Sequence, residues 1–386
     1  MKKIYLDTAA TTPLSETAFR EMRPFFRDAF YNASAAYGDA REAARALRNF
    51  RSRAAKALNA QASEMIFTSG ASESNNAVLS GVFAKTFKCK KHFVTTAIEH
   101  ESILKAAEYL GKFGIETTYL PVDSSGRVSL SDLKESIRND TALVSVMLVN
   151  NEIGTIEPVE AAAEICRERG VLIHTDATQG IGHLAIDVKK LGVDFLSLSA
   201  HKFHGPKGTG LLYVKSGSSA ESLIHGGPQE AGHRAGTENL PGIAGLASAL
   251  EESAGAYTGR KHELIAMQDK FVQRLSQIKG IGFNGSLDDR IPGNINFRIG
   301  GENPVNGESL RILLESRGIL VSKGSACNTG TDTPSHVLLA LGKSAEEAKN
   351  SIRISFDLTT GSSAISEAAA VIAESAEFLR HEKAFT

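Results

Sequence analysis

At 386 residues, 42% hydrophobic and 23% charged, the chain has the make-up of a folded globular protein, which excludes a disordered chain and a collagen-like repeat. At about 150 residues per domain, two or three domains are expected. The 43 Lys and Arg against 44 Asp and Glu leave a formal charge of −1, so no bulk charge draws the chain to nucleic acid or to an anionic membrane.

The N-terminus, MKKIYLDTAATTP, reaches Asp7 after too few apolar residues for a secretory signal. From 65 to 215 short apolar runs alternate with helical patterns. Strands are predicted at 65–70, 92–97, 115–122, 142–149, 171–177, 194–200 and 208–215. Helices are predicted at 72–87, from about 101, near 130–137 and near 158–169. In the second of these, Ile103, Leu104, Ala107 and Leu110 recur at helical spacing and define one buried face. The longest apolar run, 142–149, is far short of a bilayer span.

Strands and helices in alternation predict a mostly parallel α/β sheet flanked by helices. Such sheets bind ligands beyond the carboxyl ends of their strands. After a glycine-rich stretch (HGGPQEAGHRAGTEN, 225–239) and a long helical segment at 238–279, the texture changes. Strands at 294–299, 319–323 and 351–357 and helices at 307–317 and 363–380 read as a smaller α+β domain. The expected division is a large domain over 14–258 and a small one from 1–13 and 259–386.

Asp176 closes one predicted strand and Lys202 follows the next, so both can face one crevice. A buried carboxylate opposite a lysine is what pyridoxal 5′-phosphate requires. The lysine bonds the cofactor, and the carboxylate keeps the pyridine nitrogen protonated so that the ring accepts electrons. Each also has an ordinary reading, Asp176 as a helix cap and Lys202 as a surface lysine. Residues 69–72 (SGAS) lie where a strand turns into a helix, which offers free N–H groups to a phosphate or else a serine cap. Ser199 and His201 beside Lys202 are further donors. His100 at another strand end has a flat ring that can lie over a cofactor, and the amides of Asn151 and Gln179 can reach its phenolic oxygen. The spacings His174-x-Asp176 and His201-x-x-His204 are weak metal signatures, and no metal is expected.

Three cysteines are too few for a disulfide framework, and a reducing cytoplasm is the expected compartment. Cys166 fits the buried side of a helix, and Cys89 lies in a lysine-rich connection. Cys327 differs. Its surroundings, KGSACNTGTDTPS, are small and polar with no large apolar anchor, which predicts a mobile loop carrying a candidate nucleophile.

Taken in order, YLDTAATTP (5–13), TSGASESNN (68–76), IEHESIL (98–104), NNEIGT (150–155), HTDATQGIG (174–182), SAHKFHGPKGTGLLYV (199–214), RAGTEN (234–239), KGSACNTGTDTPSHVLLALG (323–342) and SIRISFDLTT (351–360) resemble the cysteine desulfurases. These are pyridoxal-phosphate enzymes of fold type I in the class V aminotransferase family, and the spacing from Cys327 to Pro334 is similar to their long-loop, iron–sulfur-assembly branch. The resemblance implies that Lys202 bonds the cofactor, Asp176 partners its ring nitrogen and His100 stacks on the ring and shuttles protons. Asn151 and Gln179 would bind the phenolic oxygen or ring substituents, with Asn151 also near the substrate. Ala71, Ser72, Ser199 and His201 would hold the phosphate, with Thr237 supplied by the second subunit of a homodimer. Arg353 would grip the carboxylate of L-cysteine, and Cys327 would take its sulfur as a persulfide, leaving L-alanine. The sulfur would then pass to an acceptor protein, an iron–sulfur scaffold or a thiolation protein. Departures from the family pattern are Ser72 for Thr, Ala235 for Ser, Lys323 for Ser, and Asn328-Thr329-Gly330 in the cysteine loop. The chain also lacks an obvious match to the tail with which housekeeping members dock their scaffold. Three alternatives stand beside this reading: a selenocysteine lyase, another class V lyase or aminotransferase, and a silent binding protein of the same fold.

Overall fold

The computed structural model describes residues 3–323 and 333–383. Twelve strands are named among them: β1 (Ile4–Tyr5), β2 (Met65–Thr68), β3 (His92–Thr96), β4 (Glu116–Leu120), β5 (Thr141–Ser145), β6 (Leu172–Asp176), β7 (Phe195–Ser199), β8 (Gly210–Val214), β9 (Ile281–Asn284), β10 (Asn294–Ile299), β11 (Ile319–Leu320) and β12 (Ile352–Ser355). Seven of them form one sheet in the order β2-β8-β7-β6-β5-β3-β4. β8 runs against its neighbours β2 and β7, and the other pairs are parallel. The carboxyl ends of β2, β3, β5, β6 and β7 therefore lie at the same edge.

Strand periodicity explains the two faces. Neighbouring strand residues point to opposite sides. Phe93, Leu143, Phe195 and Leu212 pack on one face against Val78, Leu79 and Phe83 of helix Ala71–Thr86 and Ile103 of helix Glu101–Gly111. Val94, Val144, Leu196 and Leu211 pack on the other against Leu47 and Phe50 of helix Gly38–Ala57 and Ala162 and Cys166 of helix Val159–Glu168. Each large apolar side chain so buried contributes about 1.5–3 kcal/mol. In helix Glu101–Gly111 the buried face is Ile103, Ala106, Ala107 and Leu110; Leu104 is half-buried, with Ala106 buried instead. Cys166 is fully buried, which pushes its thiol up to about 12, and Cys89 is exposed.

A second core joins β10, β12, the second half of helix Leu240–Leu275 and helix Ser362–Lys383 through Phe271, Phe297, Phe356 and Ile372. β1 pairs in parallel with β11, and Ile4 and Leu6 enter this core. Helix Leu240–Leu275 runs through both cores, with Leu246 and Leu250 in the first and Leu264 and Leu275 in the second. Sequence reasoning missed the helices Glu16–Met22 and Gly38–Ala57 and the strand β9. It also ran β5 four residues too far, because 146–149 continue the apolar texture after the strand has ended. Among the described residues, no helix is long and apolar enough to cross a membrane.

Candidate active site

The five strand ends open into one cavity of about 600 Å³, within the usual range for a small-molecule site. Ala71, Ser72, His100, Asn151, Asp176, Gln179, Ser199, His201, Lys202 and Arg353 all line it. Sequence reasoning expected each of them at a site, and the fold brings these ten together.

Asp176 ends β6 and is 5% exposed. Its Oδ1 accepts from the Thr178 amide at 3.0 Å and its Oδ2 from Asn75 Nδ2 at 2.8 Å. Lys202 Nζ donates to the carbonyls of Ala9 and Ala10 at 2.7 and 2.8 Å, so the N-terminal segment holds the amine at the cavity wall. His100 caps helix Glu101–Gly111: its Nδ1 accepts from the Ser102 amide at 3.1 Å and lies 2.8 Å from the Ser102 hydroxyl. Burial lowers the pKa of this imidazole, with Asp176 opposing the shift. His201 is held neutral at pH 7, its pKa lowered to about 4 by burial and by Lys202 and Lys207. His174 has both ring nitrogens within 2.9 Å of the hydroxyls of Ser145 and Ser197, so its spacing to Asp176 serves the sheet interior.

Helix Ala71–Thr86 starts at the end of β2 with no side-chain cap, leaving its first N–H groups to an anion. Glycines permit the close packing there. A Cβ on Gly70 would come within 3.2 Å of Ser199 Oγ, and one on Gly210 within 2.5 Å of the Gly70 Cα. An amine in the cavity, a hydrogen-bonded carboxylate at a strand end and an uncapped helix N-terminus fit pyridoxal 5′-phosphate.

The opposite wall comes from distant parts of the chain. Arg353 on β12 is 1% exposed; its Nη2 pairs with Asp7 Oδ1 at 2.6 Å and its Nη1 donates to the Asn151 carbonyl at 3.1 Å. Burial raises the Asp7 carboxyl against the pull of Arg353. Gln179 Nε2 donates to the Ala9 carbonyl at 3.0 Å, and Thr12 Oγ1 to the His201 carbonyl at 3.0 Å. Glu152, raised by burial, accepts from the Ser335 hydroxyl at 2.6 Å.

Two expected site residues stand apart. Thr237 is exposed and does not line this chain's own cavity. Cys327, with its expected mobile loop, lies outside the described residues. Lys323, the charge nearest to it in sequence among the residues described, pairs with Glu308 at 3.2 Å. Sequence reasoning missed Asp7, Asn75, Ser102 and Glu152. All four lie inside segments it had singled out, and a polar residue in such a segment is the signal that could have found them.

Residues 4–367 match the aminotransferase class-V family. The chain belongs to that family. It is 44% identical to the cysteine desulfurase IscS of Dictyoglomus turgidum over 93% of this chain and 91% of that protein. A solved NifS-like protein superposes with a TM-score of 0.91 at 36% identity, covering 98% of this chain and all of that one. A structure titled SspA in complex with cysteine gives a TM-score of 0.81 at 38% identity, covering 92% of this chain and 98% of that one. Within the class V family the chain is therefore one of the cysteine desulfurases, and its cofactor is pyridoxal 5′-phosphate. The selenocysteine lyase, aminotransferase and silent binding-protein readings give way to this one. The desulfurase keeps the mostly parallel fold-type I architecture expected of its sequence.

Proposed function

We propose that this desulfurase removes sulfur from L-cysteine through the residues around the cavity, passes it to Cys327 as a persulfide and releases L-alanine. The observation that carries the reading is one cavity with Lys202, Asp176 and His100 on one wall and Arg353 on the other. Pyridoxal 5′-phosphate, once Lys202 has yielded its place on it to the substrate amine and is free as a base, would supply an electron sink for the pair released when the substrate Cα–H bond breaks. Asp176 holds a proton at the ring nitrogen, and its two hydrogen bonds fix the carboxylate in place for that task. Ala71, Ser72, Ser199 and His201 hold the phosphate, while Asn151 and Gln179 serve the phenolic oxygen. Arg353 binds the substrate carboxylate, for which its planar fork is suited. Lys202 Nζ takes the proton from the substrate Cα, and His100 moves a second one. The Cys327 thiolate attacks the substrate sulfur. An S–S bond forms as the C–S bond breaks, and the carbon is then protonated.

The two cores act as two domains, 14–258 and 1–13 with 259–386, the cavity lying between them. The enzyme is a homodimer in which Thr237 completes the partner subunit's phosphate site; its exposure away from its own cavity supports this. The persulfide passes to an acceptor protein, an iron–sulfur scaffold or a thiolation protein, in the cytoplasm. The test is to incubate purified protein with L-cysteine and a reductant and to quantify alanine and sulfide. Equal yields of both are expected, and turnover to pyruvate or no alanine would refute the reading. Light scattering that finds a fully active monomer would refute the dimer.

A further inference from the structure

Asn75 lies on helix Ala71–Thr86, fully buried, and belongs to none of the groups assigned above. Both of its amide hydrogens are used. Nδ2 donates to Asp176 Oδ2 at 2.8 Å and to Ser102 Oγ at 2.8 Å. An ionised carboxylate only accepts, so Asp176 fixes which end of the amide faces it. The other end, Asn75 Oδ1, is buried without a partner. Leaving a buried acceptor unpaired costs stability, so what this side chain contributes here is its two donated bonds.

The direction of those bonds propagates. Ser102 Oγ accepts from Asn75, which leaves its own hydrogen for His100 Nδ1 at 2.8 Å. The Ser102 amide points at the same nitrogen at 3.1 Å. With Nδ1 accepting, a neutral His100 carries its hydrogen on Nε2. A chain of aligned donors thus runs from Asp176 through Asn75 and Ser102 to His100.

We propose that Asn75 is a positioning residue that ties the tautomer of His100 to the Asp176 carboxylate by way of Ser102. The two groups that flank the cofactor ring are then set by one buried amide rather than separately. This rests on the cofactor reading above. His100 also faces the charges of Lys202 and Glu101 and the imidazole of His336, and none of these is altered by changing Asn75 or Ser102.

The test follows the titration of His100 by NMR in histidine-labelled holoenzyme, for the parent, Asn75→Leu, Ser102→Ala and the double variant. Loss of the Ser102 hydroxyl's bond makes Nδ1 easier to protonate. The proton affinity of His100 should rise about fivefold, the worth of one ordinary hydrogen bond. Asn75→Leu leaves the Ser102 hydroxyl free to turn and accept instead, so it should raise the affinity by no more than Ser102→Ala does, and the double variant should add nothing beyond Ser102→Ala, because both act on one chain. Asn75→Leu alone should also shift the pH midpoint of the cofactor's absorbance, since it alone removes the bond to Asp176. An unchanged His100 midpoint in either single variant, or additive shifts in the double, would overturn the proposal. Should Asn75→Leu fail to fold, Ser102→Ala decides the matter, since an unchanged midpoint there breaks the chain at its last link. The readout involves no turnover, so it stands or falls apart from the desulfurase assay.

Discussion

The two walls of the cavity are built in different ways. The wall proposed to hold the cofactor takes Asp176 and Ser199 from strand ends of one sheet and Lys202 from the short turn after β7, with a core on each face to hold them. The wall proposed to hold the substrate is gathered from remote segments: Asp7 pairs with Arg353 across 346 positions, and Ser335 reaches Glu152 across 183. A group carried by a sheet is positioned by packing, whereas a group gathered by polar contacts depends on each contact. Damage to the first wall should therefore abolish cofactor chemistry, and damage to the second should alter substrate handling while the cofactor stays bound.

The largest expected effect belongs to the first wall. Lys202→Ala should lower kcat by about 10⁴-fold, the upper range for a general base, and abolish the covalent cofactor link; steady-state rates and mass spectrometry after borohydride reduction check both. Next comes Arg353→Ala. It should raise the KM for L-cysteine by about 10- to 100-fold, the worth of one hydrogen bond to a charged group, without changing the cofactor's absorbance. Asp7→Asn breaks a largely buried pair from one side and should cost ~3 kcal/mol in denaturant unfolding, again with the cofactor retained.

The smallest effect sharpens the boundary between the walls. His204, in the loop after β7, contacts Asp357, just past β12, at 3.1 Å. Burial pulls the His204 pKa down, but Asp357, with the Pro13 carbonyl and Glu252 adding to it, offsets this and raises it. Asp357, which burial would raise, is held down at about 2 by His204 and Thr359. The stability from Asp357 is present above its unfolded value, roughly pH 4, and is lost as pH falls toward about 2. That from His204 is present below its unfolded value, roughly pH 6.5, and is lost as pH rises through its raised folded value. Asp357→Asn should thus cost about 1–2 kcal/mol near pH 5.5 and progressively less as the pH rises through the raised His204 value, as read by urea unfolding across that range.

The same contrast decides what could be read from sequence. Asp176 and Lys202 were legible because a strand pattern places its last residue at the crevice with no knowledge of tertiary contacts. Asp7 was not, since its meaning lies in a guanidinium 346 positions away. Asn75 was hidden for another reason: within TSGASESNN the serines and glycine claim the phosphate reading, and nothing local reveals that one asparagine turns inward. Helix Gly38–Ala57 was missed although Ala40, Ala43, Leu47, Phe50 and Ala54 recur at helical spacing, because four of its six buried positions are alanines, which carry little apolar signal. Strand ends ran long wherever apolar residues continued into buried loops, as at Val146–Val149 after β5.

Cys327→Ala tests the separation of the walls most directly, because it removes the proposed sulfur acceptor and leaves every residue that lines the cavity unchanged. Absorbance and sulfide release should be followed together after L-cysteine is added to the variant. The cofactor should remain bound and respond to L-cysteine as in the parent, while sulfide release falls nearly to zero. Sulfide released at the parent rate would contradict the account.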